Sequence, residues 1–351
     1  MSRLLFLSFV LLACAITANA QTISPSTVVF MGHVESLEWS PDGQSLAIQG
    51  EGGTRIFNFD NQLIGYLEEN DYVPPNASFD SYSQSWGVGV SWDTESKNLV
   101  APYYDILESR FGIKVWDAET ETPIFNYTLS TDNTDIDWNK NTHEVAISYR
   151  SPQEGAYEFW DITIVNIDEN TGFAFAVSEI PINDIAWSPN GIFLATGNAD
   201  GRVDIWDTSQ RDLIQVNPFT GTPPPKETLT TLWGHSSAVN AVAWNNDGSL
   251  LASASSDGSI RIWDINTHET IQIFENRSGI NSIDWDSTGA FLASGSEDAI
   301  IRIWNITTRE LVTELEGHQD AITDLDWHPD NTKIATSSKD NRVRVWDLNL
   351  E

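Results

Sequence analysis

The sequence predicts an all-β fold assembled from repeated four-stranded sheets, and two recurring features support this prediction. A short apolar segment that ends in Trp-Asp or Trp-Asn recurs at residues 201–207, 258–264, 299–305 and 341–347. A second tryptophan closes another predicted strand and recurs at Trp39, Trp92, Trp138, Trp187, Trp244, Trp285 and Trp327. Because a unit of this size cannot bury its own apolar faces, the copies must stack on one another.

The segment from residue 234 to residue 274 shows the elements of one unit in chain order. They are a strand at 239–244, a turn at 245–248, a second strand at 250–254, a tight Asp-Gly turn at 257–258, a third strand at 260–263 and a fourth at 270–274. The strands are apolar on both sides, which predicts a sheet covered on both faces by its neighbours. The last two tryptophan spacings are 41 and 42 residues, whereas the earlier ones range from 46 to 57 and indicate insertions.

Gly-His, Ser-Pro-Asp-Gly and Trp-Asp elements recur in register with these strands from about residue 23 to the C-terminus. In these motifs the chain resembles the WD40 family. The resemblance implies that residues 21–351 form a seven-bladed WD40-type β-propeller closed by an N-terminal strand. Since the sequence stops soon after Trp346-Asp347, residues 27–30 are expected to pair with the strand that contains Trp346. Such closure removes an open sheet edge.

Blade three departs from the motif. Residues 162–166 align best with the third strand of this blade. Phe159, Trp160 and Asp161 imitate the Trp-Asp motif, and this alignment places them in the loop before that strand.

Residues 1–20 predict a secretory signal peptide. Arg3 is followed by an apolar stretch, and Ala18-Asn19-Ala20 has the small residues of a cleavage site, so the mature chain is expected to begin at Gln21. Alternatively, the residues up to Cys14 resemble the lipobox of bacterial lipoproteins, in which that cysteine is lipidated. Both interpretations predict export, either as a secreted or cell-envelope protein or as a lipoprotein anchored through Cys14. No later stretch is apolar enough to span a membrane, so we expect no direct membrane insertion of the mature chain.

The charge of the chain excludes several classes of partner. Fifty-one Asp and Glu oppose 18 Lys and Arg, which gives a formal net charge of −33. Nucleic acids and anionic membrane surfaces require a basic face, so neither is an expected partner. The acidity is consistent with solubility outside the cell, with attraction of a basic partner or with binding of divalent cations. No calcium loop, phosphate-binding glycine loop or Cys/His metal spacing occurs, so we expect no cofactor and no metal.

Two sets of His, Ser or Thr, and Asp residues have the composition of a hydrolase triad. They are His235, Ser253 and Asp257 in blade five, and His318, Thr336 and Asp340 in blade seven. The WD40 resemblance implies instead that each set is a buried hydrogen-bond network, completed by Trp263 and by Trp346. No Gly-x-Ser-x-Gly motif is present, so we expect a structural role for both sets and no enzymatic activity.

Insertions in the first half of the chain concentrate the aromatic residues. Residues 68–84, 102–112 and 149–161 are expected to lengthen loops on one face of blades two and three. Aromatic side chains give rigid contact surface, so we expect a partner-binding patch. Its candidates are Trp86, Tyr103, Tyr104, Tyr157 and Trp160. The alternative is that these side chains pack their own loops.

A second set of candidate contacts is implied by similarity to the β subunits of G proteins and related propellers. Their partner contacts come from the positions six and four residues before the first-strand tryptophan. In this sequence, these positions include His33, Glu35, Asp132 and Asn183.

The sequence therefore predicts an exported, non-enzymatic propeller scaffold that acts as a monomer. We expect it to bind a protein or peptide, basic in character, through one face and mainly through blades one to three. The alternative function is that of a propeller that binds a small ligand or carbohydrate in an aromatic pocket, with weak enzymatic activity.

Overall fold

The computed structural model describes residues 25–30, 32–50, 53–58, 63–67, 88–105, 110–129, 131, 133–151, 159–209 and 228–350. These residues form 28 β-strands arranged as seven antiparallel four-stranded sheets. The all-β, seven-bladed prediction is confirmed. No helix of the described residues is long and apolar enough to cross a membrane.

Each blade is a meander of four strands. In blades one to three the strands are β2 (Val34–Trp39), β3 (Ser45–Gly50), β4 (Gly53–Asn58), β5 (Leu63–Leu67); β6 (Ser91–Trp92), β7 (Asn98–Asp105), β8 (Arg110–Asp117), β9 (Thr122–Leu129); and β10 (Asn133–Trp138), β11 (Glu144–Ser151), β12 (Phe159–Asn166), β13 (Thr171–Ser178). In blades four and five they are β14 (Ile182–Trp187), β15 (Phe193–Asn198), β16 (Arg202–Asp207), β17 (Thr228–Trp233); and β18 (Val239–Trp244), β19 (Leu250–Ser255), β20 (Ser259–Asp264), β21 (Glu269–Glu275). In blades six and seven they are β22 (Ile280–Trp285), β23 (Phe291–Ser296), β24 (Ile300–Asn305), β25 (Glu310–Glu316); and β26 (Ile322–Trp327), β27 (Lys333–Ser338), β28 (Arg342–Asp347).

The last blade is completed by the first strand of the chain, β1 (Pro25–Phe30). This strand pairs antiparallel with β28, and Val29 lies opposite Val343. The predicted closure by an N-terminal strand is therefore confirmed. Blade seven is also joined directly to blade one, since His328 Nε2 donates to the backbone oxygen of Gly43 at 3.0 Å. Gly43 has a positive φ of 69°, and a Cβ there would lie 2.5 Å from His328 Nε2, so only glycine allows this approach.

The apolar core is divided among the seven interfaces between blades. Each of seven buried clusters combines side chains of two adjacent blades, including one cluster that joins blade seven to blade one. The first strands contact one another around the inside of the ring, from β2 through β26 and back to β2. A blade is therefore apolar on both faces because both faces are interfaces.

The meander places two kinds of connection on the same face of the ring. The links between blades and the turns between second and third strands lie on one face, here called the upper face, because successive strands alternate in direction. The turns after the first and third strands lie on the opposite, lower face.

On the upper face, the second and third strands of blades two and three are longer than those of the other blades. They have eight residues each, whereas the equivalent strands of blades four to seven have six. The extra residues are regular strand at the upper end, because Tyr104 lies opposite Phe111 and Arg150 lies opposite Trp160. The expectation that residues 102–112 and 149–161 are loops is therefore wrong at both ends of each range. Residues 102–105, 110–112, 149–151 and 159–161 belong to strands. Phe159, Trp160 and Asp161 begin β12, since their backbone pairs with the end of β11.

We predict that the ring depends on β1. Deleting residues 1–30 leaves β28 with an unpaired edge and should lower the thermal unfolding midpoint by roughly 10 °C. The control is a chain that starts at residue 21 and keeps β1. Differential scanning calorimetry compares the two, and equal midpoints would contradict the role of β1 in closure.

Candidate functional site

The expected aromatic patch is only partly exposed. Tyr103 is buried, at 6% exposure, and Lys114 Nζ lies 4.6 Å from its ring centroid. Tyr104 is half-buried and its ring centroid lies 4.7 Å from that of Phe111. Tyr103 therefore offers a partner almost no surface, whereas the Tyr104–Phe111 pair lies at the upper end of blade two.

Trp160 occupies a different position from these tyrosines. It is half-buried and packs against the apolar cluster between blades three and four. Three other candidates, Trp86, Tyr157 and Asp132, lie outside the described residues. The structure thus brings Tyr104 and Trp160 to the upper ends of neighbouring blades.

The positions suggested by G-protein β subunits have two different environments. His33 and Glu35 are partly exposed on blade one, with 3.5 Å between His33 Nε2 and Glu35 Oε1. Asn183 instead donates its side-chain N–H to the backbone oxygen of Val239 in blade five, at 2.9 Å. Two other residues four positions before a first-strand tryptophan, Asn240 and Asn281, donate in the same way to the next blade. The Asn183 amide therefore joins two blades, a role that competes with partner contact.

The His/Ser/Asp set of blade five forms a continuous chain of hydrogen bonds. Trp263 Nε1 donates to Ser253 Oγ at 2.8 Å, and Ser253 Oγ lies 2.7 Å from His235 Nε2. On the other side of the ring, His235 Nδ1 lies 3.2 Å from an oxygen of Asp257. The neutral tautomer of His235 that carries its proton on Nδ1 gives every polar group of this network a hydrogen-bond partner. Because Ser253 and the His235 side chain are fully buried, this serine cannot reach a substrate.

Environment keeps this network in one charge state. Burial lowers the pKa of His235, so the imidazole is neutral near pH 7. Burial by itself favours the neutral acid at Asp257, but hydrogen bonds from Ser236 and Ser259 outweigh it and lower the pKa of Asp257 to about 2. A carboxylate fixed by several donors orients the histidine.

Blade seven repeats the network with one addition. Trp346 Nε1 donates to Thr336 Oγ1, which lies 2.9 Å from His318 Nε2, and His318 Nδ1 lies 3.1 Å from Asp340. The guanidinium of Arg344 donates to Asp340 beside the ring. Burial, together with this positive charge, lowers the pKa of His318 to about 4.

Blade six lacks the histidine of blades five and seven but has a buried arginine. Asn276 stands nine residues before Trp285, where blades five and seven have histidine. Arg302 is buried and donates to Ser296, Asp298 and Glu314. Arg302 lies opposite Ser294, as Arg344 lies opposite Thr336 in blade seven, so blade six keeps the arginine without the histidine, which is consistent with a structural role.

A group of carboxylates that the sequence analysis missed links the innermost strands. Each accepts a hydrogen bond from a backbone N–H of the next blade, at distances of 2.6–2.9 Å. We call these the inter-blade carboxylates, and they are Glu38, Asp135, Asp137, Asp184, Asp284, Asp324 and Asp326. All lie one or three residues before a first-strand tryptophan, a spacing that could have revealed them in the sequence.

These carboxylates replace sheet partners that the innermost strands lack. Where a carboxylate is absent, a serine hydroxyl can serve, since Ser91 Oγ accepts from Trp138 N–H and Ser282 Oγ accepts from Leu325 N–H. Edge N–H groups thereby find acceptors across the blade boundary.

Lys140 supports the blade with the shortest innermost strand. Strand β6 has two residues, and Lys140 Nζ reaches across from blade three to the backbone oxygen of Trp92, at 2.7 Å. The same ammonium lies 3.0 Å from Glu38 Oε1 of blade one. One cation thus joins three blades.

Among the described residues, no three His, Cys, Asp or Glu side chains are grouped to hold a metal ion.

Burial raises the pKa of six of the inter-blade carboxylates. The pKa rises to about 6 for Asp137 and for Asp324. Besides burial, the charge of Asp184 raises the pKa of Asp135, and the charge of Asp284 raises the pKa of Asp326. The pKa of all four is raised, with burial as the largest cause.

Comparison with known proteins assigns the repeats of the second half of the chain. The WD40 family, described as WD domain, G-beta repeat, matches residues 177–207, 226–264, 268–305 and 309–347. These segments cover blades four to seven, which carry the networks described above. The chain therefore contains WD40 repeats, as the Trp-Asp motifs predicted.

Three curated proteins illustrate its similarity to characterised chains. The chain is 35% identical over 83 residues to Probable cytosolic iron-sulfur protein assembly protein 1 of Candida glabrata, which covers 24% of this chain and 23% of that protein. It is 21% identical over 262 residues to WD repeat-containing protein AAC3 of Dictyostelium discoideum, covering 71% of this chain and 50% of that protein. It is 34% identical over 99 residues to a component of Chromatin assembly factor 1 of Mus musculus, covering 26% of this chain and 17% of that protein. The matches span half or less of each relative's length.

We predict that the blade-five network stabilises the fold. Asp257→Ala removes the carboxylate that accepts from His235 Nδ1–H, from the Ser236 N–H and from the Ser259 hydroxyl, and should lower the free energy of unfolding by about 2–4 kcal/mol. The control is Glu269→Ala, which changes an exposed carboxylate of the same blade. Urea denaturation of both variants measures the difference, and a shift no larger than that of the control would count against a structural network.

The inter-blade carboxylates predict stability that falls as pH rises. Their folded pKa values lie above the ordinary value near 4, so the stabilisation is complete at about pH 4 and is lost as pH rises through about 6 to 7. The lowered pKa values of His235 and His318 act in the opposite direction, but two imidazoles oppose six carboxyls. We expect a lower melting temperature at about pH 8 than at about pH 5.5, and a smaller difference in Asp184→Asn. A melting temperature that rises with pH would exclude this assignment.

Proposed function

We propose that this WD40-repeat propeller is a non-catalytic scaffold that binds a basic protein or peptide through its upper face. The contact is skewed toward blades one to three, where the repeat is least regular. The protein acts outside the cytoplasm, as a secreted or cell-envelope monomer.

The observation that carries this proposal is that the second and third strands differ in length from blade to blade. The second and third strands of blades two and three extend two residues beyond those of blades four to seven, and only at the upper face. Blades four to seven pack against their neighbours with strands two residues shorter, so the ring does not need the extension, and its location on one face makes it available to a partner. Tyr104, Phe111 and Trp160 lie on these extensions.

Charge supports a basic partner. The net charge of −33 gives a long-range field that attracts cations and repels anions. At the upper face, Glu35 is partly exposed beside His33. Such a field raises the association rate more than it slows dissociation.

The relatives and the buried networks support a scaffold over an enzyme. Two of the relatives are assembly proteins by name, one for iron–sulfur proteins and one for chromatin. The hydroxyls that could act as nucleophiles, those of Ser253 and Thr336, are fully buried and hydrogen-bonded to tryptophan and histidine. A hydroxyl held in this way stabilises a blade and does not attack a substrate.

Capture of a partner tests the proposal. The full chain with a C-terminal tag is expressed in its own organism, and proteins bound to it are recovered from the extracellular and envelope fractions. We expect one basic partner whose association slows as salt rises. The N-terminus of the recovered bait reports export, with Gln21 expected after signal cleavage and a blocked Cys14 after lipidation.

A matched pair of variants locates the contact. Tyr104→Ala with Glu35→Ala should weaken binding of that partner by roughly tenfold. Thr267→Ala with Glu269→Ala removes the same number of charges from exposed positions on the lower face and should leave affinity unchanged. Equal losses in the two double variants would contradict the upper face of blades one and two. Tight capture of a sugar or small molecule instead of a protein would favour the alternative function.

A further inference from the structure

Trp233 is the most exposed large apolar side chain among the described residues. It is 66% exposed, and the next most exposed, Ile124, is 53% exposed. Trp233 ends β17, the outer strand of blade four, at the upper face. An indole this exposed offers rigid apolar contact surface to a partner.

The position of Trp233 breaks a repeat that is otherwise regular. Trp233 lies opposite Arg202, the first residue of the third strand of its blade. The equivalent partners in blades five and six are Glu275 and Glu316, which are exposed glutamates. A surface glutamate therefore satisfies the fold at this place, and tryptophan is not needed for packing.

The indole faces the boundary between blades three and four. Its neighbour Leu232 is buried in the cluster between blades four and five, so Trp233 points to the other side of the strand. Across this boundary, at the upper end of blade three, Trp160 packs against the cluster that blades three and four share. Two tryptophans thus flank the upper end of one interface.

An apolar stripe continues from Trp233 down the outer strand. Leu229 is 48% exposed and lies on the same side of β17, four residues earlier. Thr231, between them, donates its hydroxyl to Asp204. The stripe is about 13 Å long, which matches the length of a short extended peptide.

The charged groups around the stripe are mainly negative. The guanidinium of Arg202 lies between Asp200 and Asp204, with Nε 3.6 Å from the first and 3.2 Å from the second. Glu179, in the link from blade three to blade four, is exposed. Asp204 is buried and balances the charge of Arg202, so the exposed charges that remain are those of Asp200 and Glu179, and the surface complements a cation.

From these observations we propose that Trp233, Leu229 and the adjoining rim of blade three form a docking surface for a positively charged segment of a partner protein. The segment presents an arginine or lysine that stacks on the indole of Trp233, next to an apolar side chain that covers Leu229. The inference rests on the proposed scaffold function and adds a second contact point, at the boundary between blades three and four.

A peptide-binding measurement tests this surface without the natural partner. The probe is a short labelled peptide in which Arg and Leu alternate, and its binding to the full chain is followed by fluorescence anisotropy. Trp233→Glu installs the residue that blades five and six carry at this place, so the fold should be retained, which calorimetry checks. We expect Trp233→Glu and Trp233→Ala to weaken binding of the probe by roughly tenfold. Ile271→Ala, at an exposed apolar position on the outer strand of blade five, should have no effect.

Three outcomes would overturn the surface. They are binding that Trp233→Glu leaves unchanged, equal binding of a peptide in which Glu replaces Arg, and no measurable binding of the Arg-Leu peptide to the native chain. The two proposals fail separately. A captured partner that is lost with the Tyr104 and Glu35 double variant but retained with Trp233→Glu would leave the scaffold function in place and remove this surface. Binding of the Arg-Leu peptide that the Trp233 variants weaken, without any captured partner, would instead support this surface and remove the scaffold function.

Discussion

The contact between neighbouring blades is the constraint on which the rest of the structure depends. Each sheet is apolar on both faces, and every buried cluster is shared by two blades, so no blade has a core of its own. Polar bonds follow the same rule. First-strand tryptophans such as Trp244, Trp285 and Trp327 donate their indole N–H to a backbone oxygen of the preceding blade. Stability is therefore a property of the closed ring, and the pairing of β1 with β28 has consequences at all seven interfaces.

The two tryptophans of a repeat have different tasks. The first-strand tryptophan bonds across the interface, whereas the third-strand tryptophan bonds within its blade, as Trp263 does to Ser253. Blades five to seven retain this division, whereas in blade four Trp206 bonds to Thr196 but Trp187 Nε1 has no hydrogen-bond partner. Blades four to seven are the blades that match the WD40 family. Blades one to three lack a third-strand tryptophan bonded in this way, and blades two and three carry the extended strands. Regular blades secure the ring, which allows the irregular ones to diverge at the face where a partner can reach them.

The negative charge of the chain has two separate origins. Seven carboxylates line the inside of the ring and accept backbone hydrogen bonds, and six of them have a raised pKa. These groups act on stability, and protonation reduces their repulsion. Exposed acids such as Asp200 and Glu179 produce the field that a partner meets. A mutation in the first group should change the pH dependence of unfolding, and one in the second should change the salt dependence of binding.

The sequence by itself determined the repeat, the number of blades and the strand that closes the ring, because periodic apolar strands and Trp-Asp turns are local patterns. Its resemblance to WD40 repeats also implied the members of the His235 and His318 networks. Tertiary structure decided which aromatic residues are exposed. Tyr103 is enclosed within blade two, while Trp233, which reads as an ordinary strand residue, faces solvent. Exposure depends on which neighbour covers an outer strand, and acceptors for the innermost N–H groups come from the next blade. Both are fixed only when the sheets are placed around the ring.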